Sequence, residues 1–216
     1  MAPGAEQYLP ATRGLGALRE AAATCRGCGL YEHATQTVFG AGRRGAPLML
    51  VGEQPGDRED RQGHPFVGPA GGLLARALDD AGISAEQTYQ TNAVKHFKFT
   101  RTSGKRRIHQ KPGRTEVVAC RPWLIAEIDA VRPRLIVALG ATAAQALLGP
   151  GFRISAHRGE LLALPAEIDT RERPQLLVTV HPAAVLRDRS GDRDKAYRLF
   201  VDDLGRARDI VSAPPV

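Results

Sequence analysis

The chain has 216 residues, 43% of them apolar, and a formal net charge of +7. That length suits one domain with a full core, and with no run of 18 apolar residues a transmembrane helix is not expected. The N-terminal stretch from Met1 to Tyr8 has neither a basic start nor an apolar segment, so a secretory leader is not expected either; a cytoplasmic setting, where disulfides are rare, fits the odd count of three cysteines.

In chain order, residues 14–24 read as a short helix and Cys25 to Cys28 as a tight turn. Leu48–Val51 is a continuous apolar run, the signature of a strand buried on both faces. Gly71–Ala81 reads as a helix, with Leu73, Leu74, Ala77 and Leu78 on one face and Gly82 as its stop. Thr88–Val94 reads as a second strand. A basic loop follows over residues 95–115, then a helix over Glu116–Val131 that Arg132-Pro133 ends. Leu135–Leu139 is a third strand, Gly140 turns the chain, and Ala141–Leu148 is helical. Leu176–Val180 is the fourth strand, and Asp194–Ile210 closes the chain as an amphipathic helix; the tail from Ser212 is expected to fray. Strands alternating with helices predict a single domain over residues 1–216. Its architecture is a three-layer α/β/α sandwich with a central four-stranded parallel sheet.

The charge is unevenly placed. Between Lys95 and Thr115 lie eight Lys/Arg residues and no acid, whereas the rest of the chain has 22 basic residues against 23 acidic ones. Such a stripe is the footprint of a phosphate-backbone binder, and a loop of that length in a compact domain is usually functional or disordered.

Two strand ends carry ionisable groups: Glu53 and Asp57 after the first, His181 after the fourth. In open α/β sheets ligands bind outside the carboxyl ends of the strands. Cys25-Arg-Gly-Cys28 has the spacing that lets two thiolates reach one metal centre, and Cys120 is the remaining cysteine. The fourth ligand is open between His33, local in sequence, and His96, which follows the second strand. Zinc and an iron–sulfur cluster both accept such ligands. His64 and His157 read as structural.

Four stretches run in a telling order: Gly52-Glu-Gln-Pro-Gly56, Pro65-Phe-Val-Gly68, Thr91-Asn-Ala-Val-Lys95, and His181-Pro182 with Leu186-Arg187. With the cysteines they resemble the iron–sulfur uracil-DNA glycosylases, the family-four-like branch of that superfamily. Two departures resemble its UdgX-type members. Histidine stands at 96, where the family has cysteine, and the family lacks the insert Gly104-Lys-Arg-Arg-Ile-His-Gln-Lys111, part of a basic loop at about 97–115. Gln54 after Glu53 points the same way.

The resemblance implies an iron–sulfur cluster, of the 4Fe-4S type, on Cys25, Cys28, His96 and Cys120, which displaces His33. It implies uracil-containing DNA as substrate, single-stranded DNA first, acted on by a monomer. Phe66 matches the residue that stacks on the flipped base, and Asn92 the one that reads the uracil edge, since an amide donates to O4 and accepts from N3–H. His181 is expected to donate to uracil O2, where negative charge develops, and Glu53 to face the sugar cation and assist His109. His109 is expected to attack C1′ and remain bonded to the DNA. Gln54 is assigned to the base, Lys105, Arg106 and Arg107 to the DNA backbone, with Arg107 also positioning the loop. One of Asp57, Glu59 and Asp60 is expected to organise the site. Two alternatives stand beside this reading: an ordinary turnover glycosylase with His109 as a DNA contact, and a non-catalytic iron–sulfur nucleic-acid-binding protein. A zinc protein of the same fold is a further possibility.

Overall fold

The computed structural model describes residues 4–101, 106–188 and 191–214. In chain order, α1 (Leu15–Ala22) leads to β1 (Leu48–Gly52), α2 (Asp57–Gln62), α3 (Pro69–Asp80) and β2 (Thr88–Asn92). A hairpin of β3 (Phe99–Arg101) and β4 (Arg107–His109) follows, then α4 (Arg114–Val131), β5 (Leu135–Leu139), α5 (Ala141–Leu148) and α6 (Ile154–His157). The chain closes with β6 (Leu161–Ala163), β7 (Gln175–Thr179), α7 (Pro182–Leu186) and α8 (Arg193–Ser212).

The main sheet has the order β2-β1-β5-β7-β6. Its first four strands are parallel, as the sequence predicts, and β6 adds an antiparallel edge through Leu161↔Leu177 and Ala163↔Gln175. The four-stranded expectation therefore falls short by one strand. Alternating side chains divide the core into two layers. Met49, Val51, Ile136 and Val178 pack with Leu124 and Ile128 of α4 and Leu147 of α5. Leu48, Leu50, Val137 and Leu177 pack with Leu74 and Leu78 of α3 and Phe200 and Leu204 of α8. Both faces of each central strand are covered, which is why the strands read as unbroken apolar runs.

Local chemistry sets the boundaries. Gly82 adopts φ 71, the left-handed conformation that ends α3, and the Ile83 amide donates back to the Leu78 carbonyl at 2.8 Å. Helix α4 starts two residues before the expected Glu116, because the Glu116 carboxylate accepts the Gly113 amide and caps the turn. The basic segment is not a structureless loop: β3 and β4 pair antiparallel, with Phe99 opposite His109.

Candidate active site

The carboxyl ends of β1, β2 and β7 meet at a cavity of about 470 Å³, and Glu53, Gln54, Phe66, Asn92, His109 and His181 all line it. Residues from five separate parts of the sequence thus face one space. Asn92 ends β2 in register with Gly52 at the end of β1. A methyl group on Gly52 would overlap Asn92 Oδ1 and lie 2.8 Å from Phe66 Cζ, so the missing side chain is what lets amide and ring come together. Phe66 has φ 57, a left-handed conformation rare outside glycine that costs of order 1–3 kcal/mol. Gly71 in the first turn of α3 packs directly on the Phe66 carbonyl, where any Cβ would collide, and this contact holds the strained turn in place.

His181 is the N-cap of α7. Its Nδ1 accepts from the Ala183 amide at 3.1 Å, so the proton of the neutral ring sits on Nε2. Burial pushes its pKa down to about 4; Glu53 opposes this, while Arg187 and His109 add to it. At neutral pH His181 is therefore an uncharged donor. Glu53 accepts from Thr142 Oγ1, three residues past the end of β5. His109 Nε2 stands 3.6 Å from Glu53 Oε1, and its side chain is 47% exposed. Burial lowers its pKa, against the pull of Glu53.

Gln54 fixes His109 from behind. Its Oε1 accepts from the Lys98 amide at 3.2 Å, while Nε2 faces the Gln110 carbonyl and His109 Nε2, each at 2.9 Å. An amide nitrogen only donates, so His109 Nε2 presents its lone pair and the ring is neutral. Within the described residues, then, Gln54 supports the nucleophile candidate and the hairpin.

A family model described as the Uracil DNA glycosylase superfamily matches residues 39–205. The chain is 35% identical to the type-4 uracil-DNA glycosylase of Thermotoga maritima over 188 residues, covering 87% of this chain and 89% of the relative. It is 38% identical to that of Pyrobaculum aerophilum over 194 residues, covering 85% and 91%. The chain belongs to the uracil-DNA glycosylase superfamily.

Within that family fold, Arg107 has a structural task. Its side chain is 5% exposed, with Nη1 on Asp60 Oδ2 at 2.6 Å and on Thr35 Oγ1 at 3.1 Å, Nε on Asp57 Oδ1, and the guanidinium over the rings of Phe97 and Phe99. The expected role of Arg107 as a DNA contact is thereby corrected: two carboxylates consume its charge and clamp the hairpin that carries His109. Asp60 also accepts from the Thr35 amide at 2.9 Å, and Glu59 accepts from the amides of Gly56 and Gly68 at 3.1 and 2.8 Å. All three acids of this loop brace it. Arg106 is exposed, and Lys105 lies outside the described residues.

The three cysteines share one buried cluster with Leu18, Phe39 and Trp123. Trp123 Nε1 donates to Cys25 Sγ at 3.2 Å, and the Lys95 amide donates to Cys120 Sγ at 3.3 Å. N–H groups aimed at sulfur suit thiolates, yet burial pushes the Cys120 thiol up to about 12 and raises Cys28 as well. A bound cation would reverse that balance. The donor set fits an iron–sulfur group through three thiolates. Among the described residues no three His, Cys, Asp or Glu side chains are grouped to hold a single metal ion. His96 is buried and neutral, its pKa pushed down to about 4 by burial, with Nε2 2.9 Å from Thr37 Oγ1. His33 is exposed. His157 has the structural role expected, bonded to Glu160 at 2.7 Å and stacked on Phe152.

Sequence reasoning missed Thr142 and the lining role of Arg187. Thr142 obeys the same strand-end rule as Glu53 and His181, and applying that rule to β5 would have found it.

Proposed function

We propose that this chain is a uracil-DNA glycosylase of DNA repair, of the UdgX type, in which His109 ends up bonded to the DNA it has cleared of uracil. The observation that carries the reading is the single cavity shared by His109, Asn92, Phe66 and His181. It is supported by the family membership and by relatives named as type-4 uracil-DNA glycosylases. The substrate is uracil-containing DNA, single-stranded DNA first, bound by a monomer that works as one domain in the cytoplasm.

Flipped uracil stacks on Phe66, and Asn92 reads its O4 and N3–H edge. As the bond between N1 and C1′ breaks, its electron pair moves into the uracil ring. The neutral His181 donates from Nε2 to O2, stabilising charge that exists only as the bond breaks. Glu53, held by Thr142, faces the cationic sugar. The His109 Nε2 lone pair, on giving up its hydrogen bond from the Gln54 amide, then forms a bond to C1′, and the second ring nitrogen releases its proton to solvent. In the turnover alternative, water makes that attack.

An iron–sulfur cluster is proposed on Cys25, Cys28 and Cys120, with His96 as fourth ligand. When bound, it serves as a structural brace. This chain's own residues then connect the brace to the site: the Lys95 amide touches Cys120, and Lys95 follows Asn92 by three residues. A cluster predicts absorbance near about 400 nm and a Cys120→Ala protein with lower thermal stability.

The test is a denaturing gel with a labelled, uracil-containing single strand beside a thymine control. A uracil-dependent band that survives heat and detergent, and is lost in His109→Ala, is expected. Alkali-labile cleavage without that band would leave a turnover glycosylase. Neither signal would remove the enzyme reading.

A further inference from the structure

Beside the cavity at the strand ends lies a second one, of about 380 Å³, between the start of α4 and α5. We propose that it takes a nucleotide flanking the excised uracil on the same strand, with the phosphate on Lys111, Arg114 and Arg121 and the base against Val117, Val118 and Pro150. The inference rests on the reading above and extends it from the target base to its neighbour.

Three observations carry it. The first is continuity. Thr142 lines this second cavity, and its hydroxyl donates to Glu53, which lines the first. One hydrogen-bonded pair separates the two spaces, a thin wall for a strand to cross.

The second is the fate of the positive charges. Three of the eight cations of the basic segment are paired inside the protein, Lys95 with Glu127, Lys98 with Glu116, and Arg107 with Asp57 and Asp60, and Arg101 lies over the Phe99 ring. Among the described residues, the side chains of Lys111, Arg114 and Arg121 have no ion pair and no hydrogen-bond partner. Arg121 Nε is moreover buried and unpartnered, so no internal acceptor engages this guanidinium. Three unpaired cations on one rim call for an anion, and a phosphate accepts from a guanidinium through two oxygens.

The third is the apolar wall. Val118 is 59% exposed on the outer face of α4, and Val117 and Pro150 line the same space. An apolar floor under a cationic rim matches a nucleotide, whose base is flat and apolar on its faces and whose phosphate is charged. The volume is in the range of small-ligand sites.

The test uses single strands whose target nucleotide has a 2′-fluoro-arabino sugar, which resists loss of the base. They are trimmed one nucleotide at a time from the 5′ or the 3′ side, and binding is read by fluorescence anisotropy. For the protein as it stands, affinity should drop about tenfold when the first or second nucleotide on one side is removed, and not on the other. In Arg114→Gln/Arg121→Gln the full-length strand should bind at the weakened level and that step should vanish. The slope of log affinity against log salt should shrink by about 0.7, the value for one lost single-strand phosphate contact. Val118→Asp changes only an exposed wall position and should remove the same step if the arginine variant fails to fold. A trimming step unchanged in both variants, or no step in the unaltered protein, overturns the inference. Uracil release from an ordinary uracil strand, measured in parallel, judges the glycosylase reading alone.

Discussion

Glu127 and Glu53 both stand near Asn92, yet their surroundings differ. Glu127 is fully buried and accepts from the Gly40 amide at 3.0 Å, Tyr89 Oη at 2.9 Å, Thr91 Oγ1 at 3.0 Å and the Lys95 ammonium. Lys95 also donates to the Asn92 carbonyl at 2.7 Å, so this network holds the Asn92 backbone at the edge of the cavity. Burial and the adjacent Glu127 raise the Tyr89 pKa and keep its phenol a donor. Glu53, by contrast, accepts from Thr142 and stops 3.6 Å short of His109, at the wall of an open cavity. A polar cluster with every partner in place fixes structure, and one that leaves capacity over can meet a substrate. The comparison separates two kinds of variant.

The largest effect is expected in the closed network. Glu127→Ala leaves the Lys95 ammonium buried without its counter-charge, and a loss of about 3–5 kcal/mol in chemical denaturation is expected. The double variant Lys95→Met/Glu127→Leu should recover much of that loss; if Glu127→Ala unfolds at the midpoint of the unaltered protein, the contrast collapses.

At the open site, His181→Ala should slow single-turnover uracil release about 10²–10³-fold, the size typical of one lost donor to a developing oxyanion. The denaturation midpoint should move far less than in Glu127→Ala. A rate within threefold or so of the unaltered protein would take His181 out of the chemistry.

Acid gives a third handle. His181 binds its proton only near pH 4 in the folded chain but near its ordinary value of 6.5 when unfolded. Between those values the unfolded state carries the extra proton, so this contribution lowers stability as pH falls from 6.5 to about 4 and is level above 6.5. His181→Asn should flatten that part of the profile; an unchanged profile would mean the ring is not buried neutral.

The smallest effect is expected for Thr142→Val, which deletes one hydrogen bond to Glu53 and changes little else. A roughly three- to tenfold slower release is expected from a bond worth about 0.5–1.5 kcal/mol, with thermal stability near that of the unaltered protein.

The sequence revealed β1, β5 and β7 because burial on both faces leaves an unmistakable apolar run with Gly or Pro close behind it, whereas β2, a polar edge strand, was read from its alternation. It revealed Glu53, Asn92 and His181 through their places at strand ends and through family resemblance. The hairpin was invisible for a physical reason. Phe99–Arg101 and Arg107–His109 are three residues each, and their order comes from Arg107 meeting acids some fifty positions away. The edge strand Leu161–Ala163 is equally short and half-exposed, so it has no burial pattern to read. Lys95 misleads most of all: it sits in a run of cations and reads as surface, but it is 1% exposed because Glu127, 32 residues later, neutralises it.

The cap on α7 gives His181 two employments, one for each ring nitrogen. Nδ1 receives a helix amide, a task that asparagine, aspartate or serine performs as well. Asparagine and aspartate are each one base change away from a histidine codon. A single mutational step can therefore keep the cap on α7 while taking the second ring nitrogen out of the cavity, so the shape of the site and its chemistry are separable at this one position.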